Sequence, residues 1–384
     1  IRDTSVTGVQ TCALPISVTG AIQTTAFRGN LMKIKLLPAI IGAMLAGSLP
    51  VAQADITLFG HIDTSIDATD QDGGSDDINM NCTTCSIGFK GSEDLGNGLK
   101  AIFKLDFQYD TVNRNKDGSI TDRDQWLGLA GGFGSVKAGT ISTVYKSHGA
   151  LIDPLYRTAL QGRERGLQSD FHNGAGENLE GRADNTIRYD TPDWNGLKGG
   201  AFYTLDSDEN DGDDNDPYGL GASYTNGGLI AYVDYQDNNG SSSDNGGDIT
   251  AWKVGGKYDL GMFGLYGQYE DGSIDDQTAT DGTGALAPID YDLTVWHLGA
   301  SATLGNTMAY FAYGQGEFDM SGGSSDDYTT WTLALTHSLS KRTLVYTGFS
   351  EVDCDVQVDD TVCDKVGPSG GEDDKFSLGM KHKF

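Results

Sequence analysis

Basic residues recur on one parity of several short segments. Lys100 and Lys104 lie in LKAIFKLDFQY, Lys137 in SVKAGTIST, Arg188 in NTIRYDT and Lys198 in GLKGGAFYT. Side chains two residues apart on an extended backbone share a face, so these cations would line one surface of a sheet. Opposed by acids across a narrow aqueous gap, such a surface sets up a transverse field. That field orients dipolar solutes and tunes ion preference without binding them tightly. Four cysteines offer a second chemistry: Cys82 and Cys85, then Cys354 and Cys363. In an exported chain an even count points to disulfides, with three connectivities open. The local pairs Cys82–Cys85 and Cys354–Cys363 are the simplest, and cross-pairing between the two loops stays open. A redox reading of Cys82-x-x-Cys85 would need a βαβ setting, and none is visible.

Catalytic constellations are missing from the sequence. Gly367-Pro368-Ser369-Gly370-Gly371 matches a nucleophile elbow in letters but lies in an acidic Gly-rich stretch without strand and helix around it. The six histidines are scattered, and none has metal-ligand spacing, so neither a cofactor nor a metal centre is expected. NRNKDGSITDRD, residues 113–124, places oxygen side chains at alternating positions before a Gly, as a calcium loop does. It ends in Asp and lacks flanking helices. The formal net charge of −29 repels phosphate backbones and argues against nucleic acid. The same charge attracts cations, which leans any ion preference toward them.

The elements that must position these side chains show a period of two. In LKAIFKLDFQY, Leu99, Ala101, Phe103, Leu105, Phe107 and Tyr109 oppose Lys100, Ile102, Lys104, Asp106 and Gln108. ITLFGHIDTSI and WTLALTHSL repeat the alternation, and sixteen such segments run from 55–67 to 374–384. Their connections alternate as well. One set is short, such as GGFG, PDWNG and NGG; the other is long and acidic, such as DSDENDGDDNDP. That asymmetry is expected of an all-β, 16-stranded antiparallel transmembrane β-barrel with short periplasmic turns and long external loops. Strands cross lipid only when closed, because an open edge leaves backbone groups unsatisfied. The apolar set, with Phe59, Tyr109, Trp126, Trp252, Trp296, Trp331 and Phe384, would form the outer band and its aromatic girdles. The polar set would line a wet interior, into which parity also points Phe202, Tyr232 and Tyr266. A soluble sandwich is the competing architecture.

The barrel reading fits the N-terminal region. Met32 opens a short basic stretch, Leu36 to Gly47 is apolar, and Ala52-Gln53-Ala54 is a small-x-small cleavage site. Residues 32–54 therefore read as a secretory signal peptide and 55–384 as the single mature barrel. Residues 1–31 resemble adapter read-through rather than native protein, and Cys12 goes with them.

Taken together, SIGFKGSEDLGNGLKAIFKLDFQYD, DRDQWLGLAGGFGSVKAGTIST, NTIRYDTPDWNGLKGGAFYTL and the terminal FSLGMKHKF resemble the Gram-negative general diffusion porins across 55–384. The resemblance implies a homotrimeric outer-membrane channel for small hydrophilic solutes. Its third external loop, residues 144–182 here, would fold into the lumen and form the constriction. Asp153, Glu164 and Asp170 are its acidic candidates, facing the basic wall of Lys100, Lys104, Lys137, Arg188 and Lys198. Arg157, Arg163 and Arg165 depart from that pattern and leave the sign of the field open. The terminal Phe384 would mark the chain for the barrel assembly machinery, and lipopolysaccharide would surround the acidic loops. Two other readings remain: a surface-recognition barrel whose loops are the function, and a substrate-specific channel with aromatic stacking in the lumen.

Overall fold

The structure is a computed structural model that describes residues 55–71, 77–112, 120–162, 166–169, 171, 181–205, 216–238, 248–280, 286–320, 325–355 and 372–384. The signal-peptide segment, most of the calcium-like loop, Gly367 to Gly371 and Cys363 lie outside them.

The first strands are β1 (Asp55–Gln71), β2 (Asp77–Asn81), β3 (Ser86–Gly96), β4 (Leu99–Gln108), β5 (Thr121–Gly131) and β6 (Gly134–Ser142). Helix α1 (Val144–Ile152) follows, then β7 (Arg182–Asp190), β8 (Leu197–Thr204), β9 (Tyr218–Asn226), β10 (Leu229–Asp237) and β11 (Asp248–Asp259). The chain ends with β12 (Phe263–Thr280), β13 (Leu286–Leu304), β14 (Thr307–Met320), β15 (Ser325–Ser338), β16 (Thr343–Asp355) and β17 (Glu372–Lys383).

Every pairing is antiparallel, and all join sequence neighbours except β1 with β3 and the seam, where β1 pairs β17 from His61↔Lys383 to Gln71↔Asp373. The ring is thus closed. Seventeen strands make sixteen staves because β2 and β3 share one position: β1 pairs β3 over residues 55–61 and β2 over residues 65–69. The sequence pattern marks only the β3 half of that stave. β12 and β13 also run well past the apolar alternation, pairing out to Thr280↔Leu286.

The two faces separate as the pleat requires. On β17, Phe376, Leu378 and Met380 are exposed toward lipid, while Ser377 and Lys381 are buried. Trp252–Tyr269, Trp296–Tyr313 and Trp331–Phe349 stack in pairs on the outer face, with centroids 5.1–5.7 Å apart. Phe59 and Trp126 correct the expected girdle. Phe59 shares parity with buried His61 and carries Lys90 and Lys104 over its ring, each at 5.6 Å. Trp126 is the cross-strand partner of Lys104 and lies under Lys137 at 5.1 Å. Both rings therefore serve the lumen, where the lysines lie.

The interior is also less uniformly polar than alternation suggests. Ile249, Ala251, Leu293, Val295, Phe318 and Val352 are buried on the inner face with Tyr145 and Phe171. They are apolar because a chain segment, not water, covers them. Phe202 and Tyr232 are buried inside as parity indicates, and Tyr266 packs at the edge of an inner cluster.

The last residue closes the seam. The Phe384 N–H donates to the Gly60 carbonyl, and the Phe384 carbonyl accepts the Gly60 N–H in return, each at 3.1 Å. Its ring lies where a Cβ at Gly60 would stand, so only glycine admits it. Deleting Phe384 removes two backbone bonds worth about 1 kcal/mol each, as well as the ring contact. The expected result is a lower yield of heat-resistant barrel on SDS gels. Native yields from the deletion would refute this role.

Candidate functional site

The segment after β6 turns inward. Thr143 caps α1, its Oγ1 accepting the Lys146 N–H at 3.2 Å. The helix packs on the inner face of β8 to β11. A Cβ at Gly221 would overlap both the Asp234 carboxylate and Val144, so glycine is required where the helix meets the wall. His148 Nδ1 meets Asp234 Oδ1 at 2.6 Å, and its ring stacks on Tyr232. Tyr145 is the second anchor. Its hydroxyl donates to Glu270, and Lys253 Nζ lies 4.1 Å from its ring centroid. Burial pushes the Tyr145 hydroxyl well above its ordinary range, so it remains a donor. Lys253 also donates to the Gln168 carbonyl at 2.8 Å, and Ser169 donates to Glu270 at 2.6 Å. Leu155, Leu160 and Leu167 then fill a cluster with Tyr232, Tyr310 and Tyr346 on the same half of the barrel.

Of the expected acids of this loop, Asp153 is the one among the described residues. Asp153 is buried and accepts from Leu155 N at 2.8 Å, Gly162 N at 2.9 Å and Gln168 Nε2 at 2.7 Å. Burial pushes its carboxyl up, against those three donors. It ties the loop to itself. Glu164 and Asp170, with Arg163 and Arg165, lie outside the described residues.

The basic residues divide. Lys104 bridges Asp124 at 2.6 Å and Asp106 at 3.5 Å. Lys137 and Arg188 are cross-strand neighbours that share Asp190 at 2.6 and 2.8 Å. Arg188 also donates to the Ser142 carbonyl and Ser147 Oγ beside α1. Lys100 is exposed farther along β4. Lys198 is exposed too, 3.4 Å from Asp193 of the adjoining turn.

Three arginines complete the cluster. A register shift between Leu105 and Phe107 turns the neighbours Arg123 and Asp124 both inward. Arg123 lies 3.5 Å from Asp106, and Arg182 lies 3.0 Å from Asp124. Arg157, at the inner turn of the loop, reaches His61 Nδ1 at 3.0 Å and is close enough, with Arg182, to repel Arg123. Lys381 fixes the same turn, donating to the Tyr156 carbonyl at 2.7 Å. Among the described residues, Lys104, Arg123 and Arg182 thus share two carboxylates, Asp106 and Asp124, and Arg157 adds a fourth cation near Arg123. Alternation did not single out Arg123 or Arg182, because the bulge breaks parity at the first and the second opens its strand. Cys82 is bonded to Cys85; Cys354 lies in β16.

The molecule is thus a closed barrel of sixteen staves with a loop folded against its inner wall. Residues 39–357 match the Gram-negative porin family. The chain belongs to that family. The major outer membrane protein P.IB of Neisseria meningitidis serogroup A is 33% identical over 211 residues, 51% of this chain and 59% of the relative. The P.IB protein of Neisseria gonorrhoeae is 30% identical, with 49% and 54% covered, so this porin spans little more than half the length of those relatives. An outer membrane porin of Bordetella pertussis is 29% identical over 63% of this chain and 70% of its own. Among solved structures, the anion-selective porin from Comamonas acidovorans superposes with a TM-score of 0.70 at 24% identity, covering 86% of this chain and all of that one. Salmonella typhi OmpF gives 0.66 at 18% identity, covering 86% and 97%. These likenesses fix the fold of the barrel, and the place of this porin is the outer membrane.

Proposed function

We propose that this porin is a water-filled channel for the passive diffusion of small hydrophilic solutes and ions, with a constriction that favours anions. The observation that carries the reading is a cluster in which Lys104, Arg123 and Arg182 share two carboxylates among the described residues and Arg157 of the loop's inner turn adds a fourth cation near Arg123. Charge lining a narrow passage governs which ion enters, whatever the net charge elsewhere. The chain's overall −29 would lean the other way. Asp153 takes no part in the field and serves as a pin of the loop. Lys137 and Arg188 extend the basic wall, whereas Lys100 and Lys198 lie toward its mouth.

The same reading takes Met32 to Ala54 as the export signal. Two further copies pack against part of the apolar outer face, and lipopolysaccharide and the assembly machinery are partners in the membrane. No covalent step enters the mechanism, so the reading is a channel and not an enzyme. Purified barrel in planar bilayers should give stable ohmic steps, with a reversal potential of anion-favouring sign in a tenfold KCl gradient. Absence of conductance would favour the surface-recognition reading. A cation-favouring potential would reverse the assignment of the cluster.

A further inference from the structure

The stave after β1 is broken, and the break is closed by the Cys82–Cys85 bond, with Cα atoms 5.8 Å apart. Ser65 pairs Asn81 and His61 pairs Ser86, so residues 62–64 of β1 face residues 82–85 across a bulge. Cys85 is fully buried, and its Sγ accepts the Asp63 N–H at 3.3 Å. Thr111 Oγ1 donates to Cys82 Sγ at 3.0 Å.

Inside this small ring Thr84 adopts φ 48°, a left-handed conformation that β-branched residues seldom take without a constraint. It brings Thr84 Oγ1 to 3.4 Å from His61 Nε2. The other ring nitrogen, Nδ1, faces Arg157 Nη1 at 3.0 Å and Ser86 Oγ at 3.3 Å. A guanidinium only donates, so His61 Nδ1 accepts from Arg157 and the proton lies on Nε2, which faces Thr84 Oγ1 and the Thr83 backbone of the same small ring. An unbroken line of contacts therefore runs from the disulfide through Thr84 and His61 to Arg157. Neighbouring contacts brace it: Tyr346 Oη donates to Asp63 at 2.8 Å and accepts the Ala159 N–H at 3.1 Å, two residues beyond Arg157.

We propose that the Cys82–Cys85 clasp is a selectivity-positioning element, which holds His61 in the tautomer and orientation that place the Arg157 guanidinium in the constriction. This rests on the channel reading above. Without the bond, the bulge is free to relax, Thr84 leaves its left-handed conformation, and Arg157 loses its fixed acceptor. The effect is indirect, so it appears in ion preference with the barrel still assembled.

The test is a double-mutant cycle on purified, heat-resistant barrel in planar bilayers. Cys82→Ser/Cys85→Ser should lower the anion-to-cation permeability ratio about twofold or more, the scale of such indirect coupling. Arg157→Gln should lower it further. In the Arg157→Gln background, the cysteine changes should add nothing. Thr84→Val keeps the disulfide but removes the hydroxyl, and should shift the ratio in the same direction even where the cysteine variant fails to assemble. An assembled cysteine variant with native selectivity would overturn the proposal. So would a Thr84→Val variant with native selectivity, or a shift that persists in the Arg157→Gln background. A native barrel that does not conduct would instead refute the channel reading itself.

Discussion

Arg157→Glu combined with Arg182→Gln should turn the channel from anion-favouring to cation-favouring. In the native cluster Lys104, Arg123 and Arg182 lie against Asp106 and Asp124, and Arg157 is the member contributed by the loop, held on His61. The double change moves the local charge by three units. A unit charge about 8 Å from a passing ion contributes about 0.5 kcal/mol in a water-like dielectric, so the shift is about 1.5 kcal/mol. That corresponds to roughly a tenfold change in relative permeability. The reversal potential in a tenfold KCl gradient should change sign. The effect should be largest with the dilute side near 10 mM, where screening reaches about 30 Å. Asp124 keeps Lys104 and the Ser142 hydroxyl after Arg182 is neutralised, so the wall is expected to assemble. An unchanged potential in an assembled double variant would remove Arg157 and Arg182 from the constriction.

What was legible in the sequence follows what the bilayer enforces. Leu333 and Leu335 on β15, or Phe376, Leu378 and Met380 on β17, alternate because every outward residue meets hydrocarbon. Closure follows from the same constraint, and Phe384 completes it. Parity assigns a face but says nothing about partners. Lys104, Lys137 and Arg188 were placed inward from sequence, yet the carboxylates that hold them belong to their own wall. Asp153 looked like a lumen charge because residue type does not reveal three N–H donors folding over it. Arg123 was hidden by a bulge, which breaks the period that the reading depends on. Phe59 and Trp126 did carry a signal, since Phe59 shares parity with His61 and Trp126 faces Lys104 across the ladder. Aromatic type outweighed parity in the girdle assignment. β2 is hidden because DINMN alternates over five residues only, Ile78 and Met80 against Asp77, Asn79 and Asn81, too short a run to stand out as a strand.

The second large effect concerns the anchor of the inner loop. Lys253 and Glu270 are cross-strand neighbours on β11 and β12, both fully buried, and they meet the loop at one side chain. Tyr145 offers its ring to the ammonium and its hydroxyl to the carboxylate, while Ser169 adds a second donor to Glu270. Glu270→Ala removes the carboxylate beside the buried Lys253 ammonium, which keeps the Gln168 carbonyl, and takes from the Tyr145 and Ser169 hydroxyls the acceptor they share. Removing one of two opposite charges buried side by side costs up to about 3–5 kcal/mol, and the Gln168 carbonyl that stays with Lys253 keeps the loss toward the lower end. The strands themselves lose no ladder bond. The expected result is therefore selective: native-like β-sheet circular dichroism, a markedly lower temperature of heat modification, and larger, noisier conductance steps as α1 and residues 166–169 leave the wall. Lys253→Met added to Glu270→Met should recover much of the heat stability, since an apolar pair of similar volume has no charge to strand. A Glu270→Ala barrel with native heat stability and quiet native conductance would show that the apolar contacts of Leu155, Leu160 and Leu167 hold the loop unaided.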